Sequence, residues 1–292
     1  MTKSRYPKIN ILIPTLNAAK VLDSCLSSIR IQNYPQQNVE IIIADGGSSD
    51  DTLKIAKKFH CRIVQNPLKT AEAGKAVALK HASGEYIALI DSDNILPDPT
   101  WLEFMVKPLV NDSSLIGSEP YAFTYRSRAG FIERYSALMG VNDPYAFYCG
   151  IYDRYNYLTN KWTGLHLNQT IYKSYIKVSL EPDTLLPTIG ANGTIFRASF
   201  LKKINIGDYL FDVDIISQYL HQTKSTMFFA KVKTGIIHTY CESSVKKFIR
   251  KQQRRITDYY FYRNLRHYDW DQTNQSSALL FSLVSIFPIV PL

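Results

Sequence analysis

Residues 87–97 read IALIDSDNILP, from Ile87 to Pro97, and this stretch decides the fold. Four apolar residues in a row have the look of a buried strand of a parallel sheet, and they stop abruptly at Asp91, Ser92 and Asp93. If the chain stays extended there, the two carboxylates point the same way and can share a divalent cation with a phosphorylated ligand. In open α/β sheets the ligand crevice lies at the carboxyl ends of the strands, so position and chemistry agree. An Asp pair after a strand also serves as a solvated turn that caps the next helix, and the neighbouring segments must decide between the two.

Working outward, Ile9–Ile13 and Val39–Ala44 read as further buried strands, Cys61–Val64 as a short one, and Glu85–Ile90 as the strand that carries the aspartates. Between them lie apolar-periodic helices over Ala18–Arg30, from Ser49 or Asp50 to Phe59, and over Ala71–Ala82. This alternation predicts an α/β fold with a doubly wound, mainly parallel sheet flanked by helices. No G-x-G-x-x-G and no P-loop stands at a strand-to-helix turn, which argues against a dinucleotide dehydrogenase and a P-loop kinase.

Composition bounds the rest. The 292 residues suffice for one large domain with a C-terminal appendage, and 46% hydrophobic with 20% charged residues is an ordinary globular balance. A net charge of +9 favours anionic partners: nucleic acid, nucleotide phosphates or acidic lipid headgroups. Cys25, Cys61, Cys149 and Cys241 are far apart, with no zinc spacing, and read as reduced thiols. The opening MTKSRYPKIN is charged and does not read as a signal peptide.

The strings ILIPTLNAAKVLDSCLSSI, EIIIADGGSSDDT, AGKAVALKHASGEYIALIDSDNILP and FDVDIISQYL, taken in order, resemble the successive motifs of family 2 glycosyltransferases of the GT-A fold. The likeness is strong over residues 8–110 and looser over 187–256. It implies a sugar-nucleotide donor lying across the ends of the first strands. It assigns Pro14 and Thr15 to the nucleoside wall, Asp45 to a base edge, Lys75 to the nucleotide or its phosphates, Asp91 to the ribose side and Asp93 to Mg²⁺ or Mn²⁺. Ala76 stands where the family commonly has Asn. In F-D-V-D-I the resemblance makes Asp212 the general base, with Asp214 two residues on and Phe211 replacing the usual Glu. His238 falls where related enzymes place a His near metal or diphosphate. Gly190 and Gly193, in LPTIGANGTIFR, would let backbone approach the ligand.

Each assignment has a plainer counterpart. Asp45 can simply hold the Gly46-Gly47 turn, Lys75 can lie on a solvated face, and Asp212 and Asp214 can favour a helix N-terminus. His238 can be structural. Residues 111–186, dense in Tyr, Arg and Asn, have poor periodicity and offer either an acceptor surface or core and rim.

Residues 245–266 read as a basic amphipathic helix of the type that lies on an anionic membrane. Within it, QQRRI resembles the Q-x-x-R-W motif of processive members at Gln252 and Arg255, with Ile256 in place of Trp; Gln252, Arg254 and Arg255 suit phosphate, and Asp214 stands with them as an acceptor-side candidate. SALLFSLVSIFPIVPL then ends the chain as an apolar tail, too short for a confident spanning helix. The expected organisation is residues 1–240 as the transferase domain, with a nucleotide half 1–110 and an acceptor half 111–240, followed by a membrane-associated segment 241–292. The expected activity is inverting transfer of a sugar from a UDP- or GDP-sugar to a lipid-linked or polysaccharide acceptor at the cytoplasmic face of a membrane, with no nucleic acid involved. The alternatives are a sugar-1-phosphate nucleotidyltransferase and a non-catalytic module that binds membrane or nucleic acid.

Overall fold

Alternation along the first strands sends neighbouring side chains into opposite layers. On β1 (Ile9–Thr15), Ile9, Ile11 and Ile13 join one core while Leu12 joins the other; on β2 (Val39–Asp45), Ile41 and Ile43 part in the same way from Ile42 and Ala44. A sheet buried on both faces needs a helical layer on each, and the computed structural model, which describes residues 6–190 and 192–263, has both.

On one face lies α1 (Ala19–Arg30), whose Leu22, Cys25, Leu26 and Ile29 follow the helical i, i+3, i+4, i+7 spacing and are fully buried. Beside it packs α4 (Trp101–Asn111) with Trp101, Leu102, Met105 and Leu109 inward. On the other face lie α3 (Ala71–Lys80) and α8 (Asp212–Thr223). The helix α2 (Thr52–Lys58) joins β2 to β3 (Arg62–Gln65), and β4 (Tyr86–Leu89) carries the chain to the aspartates.

The strands β3, β2, β1 and β4 pair in parallel, as the alternating pattern predicts. Past β4 the sheet becomes mixed. The order runs β3-β2-β1-β4-β9-β6-β10-β8-β7, with β9 (Thr194–Arg197) antiparallel between β4 and β6 (Leu115–Phe123). The long β10 (Met227–His238) runs parallel to β6 and antiparallel to β8 (Tyr175–Leu180), which pairs β7 (Gln169–Ile171) at the edge. The stretch illegible by periodicity also supplies α5 (Phe131–Met139) and α6 (Pro144–Tyr148); α7 (Ala198–Leu201) follows β9.

Two features deliver the distant half of the chain to the end of β4. The two-residue strand β5 (Asn94–Ile95) pairs antiparallel with the end of β10, placing His238 opposite Asn94. After a tight turn, α9 (Val245–Arg263) packs back through Phe248 onto Ile132, Tyr240 and Cys241. The last residues of the expected basic helix, the apolar tail and Ala191 lie outside the described residues. Among the described residues, no helix is long and apolar enough to cross a membrane.

Candidate active site at the end of β4

The chain does not stay extended after β4. The Asn94 N–H donates to the Asp91 carbonyl (2.9 Å), and the Asp91 N–H donates to Asn94 Oδ1 (3.0 Å), closing a turn. The expectation that Asp91 and Asp93 point the same way is therefore corrected. The turn aims them at separate sets of partners, one on each side of the strand end.

Asp91 looks toward α3 and α8. Lys75 Nζ is 3.7 Å from Asp91 Oδ1 and 3.9 Å from Asp212 Oδ2, with Lys75 and Asp212 both buried. Gly74 lets α3 approach this closely, because a Cβ there would stand 2.8 Å from Pro14 Cβ and 3.0 Å from Asn66 Nδ2. Ala76, at the family's Asn position, faces the core with Ala78. Lys75 is thus not on a solvated face. Burial opposes its charge, but the carboxylates of Asp91, Asp212 and Glu72 outweigh burial and hold its pKa above the usual lysine value.

Asp212 opens α8, whose start is tied to α3 by the Leu210 N–H donating to the Glu72 carbonyl (3.0 Å). Burial pushes the Asp212 carboxyl up to about 7; Lys75 opposes this rise, and Asp91, Glu72 and Asp214 reinforce it. Asp91 Oδ1 and Asp212 Oδ1 are both buried with no hydrogen-bond partner, a costly condition that a ligand's hydroxyl groups would relieve. Asp214, one half-turn on, is only half-buried.

Asp93 looks toward β10 and α9. His238 Nε2 lies 3.3 Å from Asp93 Oδ1 and Lys251 Nζ 3.3 Å from Asp93 Oδ2, while Thr239 donates its N–H (3.0 Å) and hydroxyl (3.1 Å) to the Asp93 carbonyl. Burial raises the Asp93 carboxyl, but His238 and Lys251 prevail and hold it well below the carboxylate range. Lys251 also rests over the Tyr240 ring, 4.2 Å from its centroid.

The donor set suits Mn²⁺ or Mg²⁺ with a diphosphate and water, since a carboxylate and an imidazole stand together at Asp93 and His238. Asn142 supports this fit. Its Nδ2 lies 3.0 Å from His238 Nδ1 while its buried Oδ1 has no partner. Exchanging the amide's oxygen and nitrogen gives Oδ1 the Nδ1 proton, so a bound cation at Nε2 would take the place of the proton that His238 otherwise shares with Asp93. Among the described residues no three His, Cys, Asp or Glu gather as a metal cage.

Asp45 lies at the neighbouring strand end, paired in register with Thr15. Its oxygens accept from the Thr15 hydroxyl (2.9 Å), the Ser48 hydroxyl (2.5 Å) and the N–H groups of Gly47 (2.9 Å) and Ser48 (2.8 Å). These bonds outweigh burial and lower its pKa. Asp45 therefore holds the turn, and Pro14 and Thr15 lie buried beside it. Gly193 has φ +87° and packs so closely that a Cβ would meet Ile236 at 2.7 Å, so close packing requires this glycine. Gln252 Nε2 (2.7 Å) and Arg255 Nη1 (3.0 Å) both donate to the Asn142 carbonyl, clamping α9 to the segment after α5, whereas Arg254 is exposed.

Sequence reasoning missed Lys251, Asn94 and Asn142. Asn94 directly follows the aspartates and is fully buried, bridging Asp91 to Asn192 Oδ1 (3.0 Å). Lys251 carried no distinguishing signal within a run of basic residues. It also missed a buried charge cluster. Arg154 Nη1 lies 2.5 Å from Glu119 Oε1 and also pairs with Asp153, while Lys231 pairs with Glu119 Oε2. The cluster holds the loop before β9: Arg154 donates to the Asn192 carbonyl (3.1 Å) and the Gly190 N–H to Glu119 Oε1 (3.2 Å).

Residues 10–133 match the family model described as Glycosyl transferase family 2. Glycosyltransferase AglE of Haloferax volcanii is 28% identical over 141 residues, covering 46% of this chain and 46% of that protein. The poly(ribitol-phosphate) β-N-acetylglucosaminyltransferase TarS of Staphylococcus aureus is 31% identical over 99 residues, covering 32% of this chain and 17% of that protein. The chain spans less than half the length of either relative. Among solved structures, the mannosyltransferase PcManGT of Pyrobaculum calidifontis, in complex with GDP-Man and Mn²⁺, superposes with a TM-score of 0.54 at 15% identity, covering 86% of this chain and 61% of that one. Glucosyl-3-phosphoglycerate synthase of Mycobacterium tuberculosis, with Mn²⁺, UDP and phosphoglyceric acid, gives 0.51 at 16% identity, covering 86% and 76%. The mixed sheet with β4 ending in its aspartates and these structural likenesses give the chain the GT-A fold, and its residues 10–133 are similar to glycosyl transferase family 2.

Proposed function

We propose that this chain transfers a sugar, with inversion, from a nucleoside diphosphate sugar to a lipid-linked or polysaccharide acceptor at the cytoplasmic face of a membrane. The observation that carries the reading is the division of labour around β4: Asp93 with His238 on one side, and Asp212 with Lys75 and Asp91 on the other. Complexes of the two structural neighbours with GDP-Man or UDP and Mn²⁺ support the donor class and a divalent cation.

Asp93 and His238 would hold Mn²⁺ or Mg²⁺, which when bound supplies positive charge for the departing diphosphate. Pro14 and Thr15 wall the nucleoside, and Asp45 fixes the turn beside it. Asp91 Oδ1, which has Lys75 beside it but no hydrogen bond, accepts from a ribose hydroxyl. Asp212 Oδ1 takes the proton of the acceptor hydroxyl as that oxygen attacks the anomeric carbon; the carbon–oxygen bond to the diphosphate breaks on the opposite face, and the nucleoside diphosphate leaves with the electron pair. Lys75 keeps Asp212 ionisable in a buried place. The basic helix α9 supports the membrane part of the reading.

The test is release of nucleoside diphosphate from UDP- and GDP-sugars with lipid extract, with Mn²⁺, Mg²⁺ or EDTA. One donor turning over with metal, and loss of turnover in folded Asp93→Ala and Asp212→Ala, is expected. Pyrophosphate released from a nucleoside triphosphate instead would replace this reading with nucleotidyl transfer. A folded protein that binds no donor in the presence of metal would end it.

A further inference from the structure

The helix α5 exposes an apolar face. Phe131, Tyr135 and Leu138, spaced i, i+4, i+7, are 58%, 42% and 40% exposed, while Ile132, Ser136 and Ala137 face inward. The patch extends beyond the helix. The Tyr157 N–H donates to the Leu138 carbonyl (2.9 Å), bringing Tyr157 (50% exposed) and Leu158 (71%) alongside, and the Phe131 and Tyr135 rings lie 6.5 Å apart. Isolated exposed apolar residues need no explanation, but a contiguous group of this kind marks an interaction surface.

The neighbouring element is α9, whose first turns meet the start of α5 and whose middle reaches the segment just past its end. The Phe131 N–H donates to Ser243 Oγ (3.0 Å), Phe248 packs with Ile132, and Gln252 and Arg255 reach Asn142 just past the end of α5. At about 100° per residue, Phe248, Lys251, Gln252 and Arg255 share the inward side of α9. Exposed Val245, Ile249 and Ile256 fall within one narrow sector beside it, and exposed Lys246, Lys247, Arg250 and Arg254 occupy the sector beyond. Two adjacent helices thus each turn a large apolar stripe to solvent, and basic side chains border one of them.

We infer that α5 and α9 together form a docking surface for an anionic lipid bilayer, with Phe131, Tyr135, Leu138, Val245 and Ile249 entering the interface and Lys246, Lys247 and Arg250 contacting acidic headgroups. Charge complementarity selects this occupant. The apolar stripes alone fit any partner, but a band of cations with no acidic residue among the exposed α9 positions 245–257 fits a surface of negative charge. The proposal rests on the membrane part of the functional reading and deepens it by naming α5.

The experiment is sedimentation of the full chain with phosphatidylcholine vesicles, with and without phosphatidylglycerol. One variant carries Phe131→Ser, Tyr135→Ser and Leu138→Ser; a second carries Lys246→Glu, Lys247→Glu and Arg250→Glu; a control carries Ile171→Ser, an exposed apolar change on the edge strand β7. The expected result is binding that requires the anionic lipid, weakened about tenfold or more by each multiple variant and unchanged in the control. Wild-type binding in both multiple variants, or no vesicle binding by the wild type, overturns the proposal. So does a dimer by analytical ultracentrifugation that the α5 variant converts to a monomer, because the stripe then serves a second copy. Donor binding with Mn²⁺, measured without vesicles, reads the transferase assignment separately and is expected to persist in every variant.

Discussion

Lys251 Nζ and Asp93 Oδ2 stand 3.3 Å apart although 158 residues separate them in the chain. A lysine on the C-terminal helix thus holds one oxygen of the carboxylate assigned to the metal. Cation and lysine compete for the same charge, so Lys251→Met is expected to strengthen Mn²⁺ binding to the nucleotide-free protein. The pair is partly exposed, which limits the gain to about twofold to fivefold. Electron paramagnetic resonance of free Mn²⁺ reads it directly, and an unchanged affinity would show that lysine and metal do not contend for Asp93.

With Asp212 as the proposed base, its carboxyl, lifted by burial to about 7, is expected to give turnover an acid limb in which the rate rises with pH and levels off above about 7. Lys75→Met removes the charge that opposes the lift and moves this limb to higher pH. Asp212→Asn removes the base and lowers kcat by about 10²–10⁴-fold. A pH–rate profile of each variant is the check.

The same carboxyl affects stability with a definite sign. Its folded value lies above the ordinary 3.8, so between about 4 and about 7 the folded protein binds more protons than the unfolded one. Its contribution to stability therefore falls as pH rises through that window. Asp212→Asn is expected to make the protein more stable than wild type at pH 8, with the difference shrinking toward pH 4; urea midpoints at the two pH values measure this.

Asp45→Ala releases the N–H groups of Gly47 and Ser48 and the Thr15 hydroxyl together. A loss of about 1–3 kcal/mol is expected, with weaker nucleotide binding because the wall beside it loosens. Denaturant unfolding and calorimetric titration with UDP and GDP separate the two effects. A stable variant that binds nucleotide normally would show that the turn holds without its carboxylate.

Lys231→Met strips one cation from the fully buried Glu119. The cost expected is about 3–5 kcal/mol, because a buried charge is left short of a partner. Adding Glu119→Gln is expected to recover part of that loss. Urea unfolding of the single and double variants tests this, and additive losses would show that the two groups act independently.

The first half of the fold was legible because β1, β2 and β4 are buried apolar runs, β3 is a short strand between them in sequence, and each intervening helix shows its own period. Lys75, Asp91 and Asp212 were each singled out from the sequence, and the structure joins them. What periodicity could not show is contact at long range. The strand β9 has four residues and owes its place to two partners, β4 and β6, rather than to a pattern of its own. The turn that parts Asp91 from Asp93 depends on Asn94, a side chain whose significance appears only when its hydrogen bonds are known. Lys251 was indistinguishable from its basic neighbours because long-range contacts, such as Phe248 against Ile132 and Gln252 with Asn142, decide which side of α9 turns inward.

The placement of β9 between β4 and β6 has a consequence for any attempt to divide the chain. The family match ends at residue 133, yet β9, Asp212, His238 and Lys251 all come later. A fragment cut at that boundary would leave the free edge of β4 without its neighbour, Lys75 without Asp212, and Asp93 without His238 and Lys251. Contacts of such large sequence separation form late and slowly, so during synthesis the parallel strands β1 to β4 wait, with one sheet edge uncovered, for the last third of the described chain to emerge. The segment most easily recognised in evolution therefore lacks the strand that covers its sheet edge and the side chains that face Lys75 and Asp93.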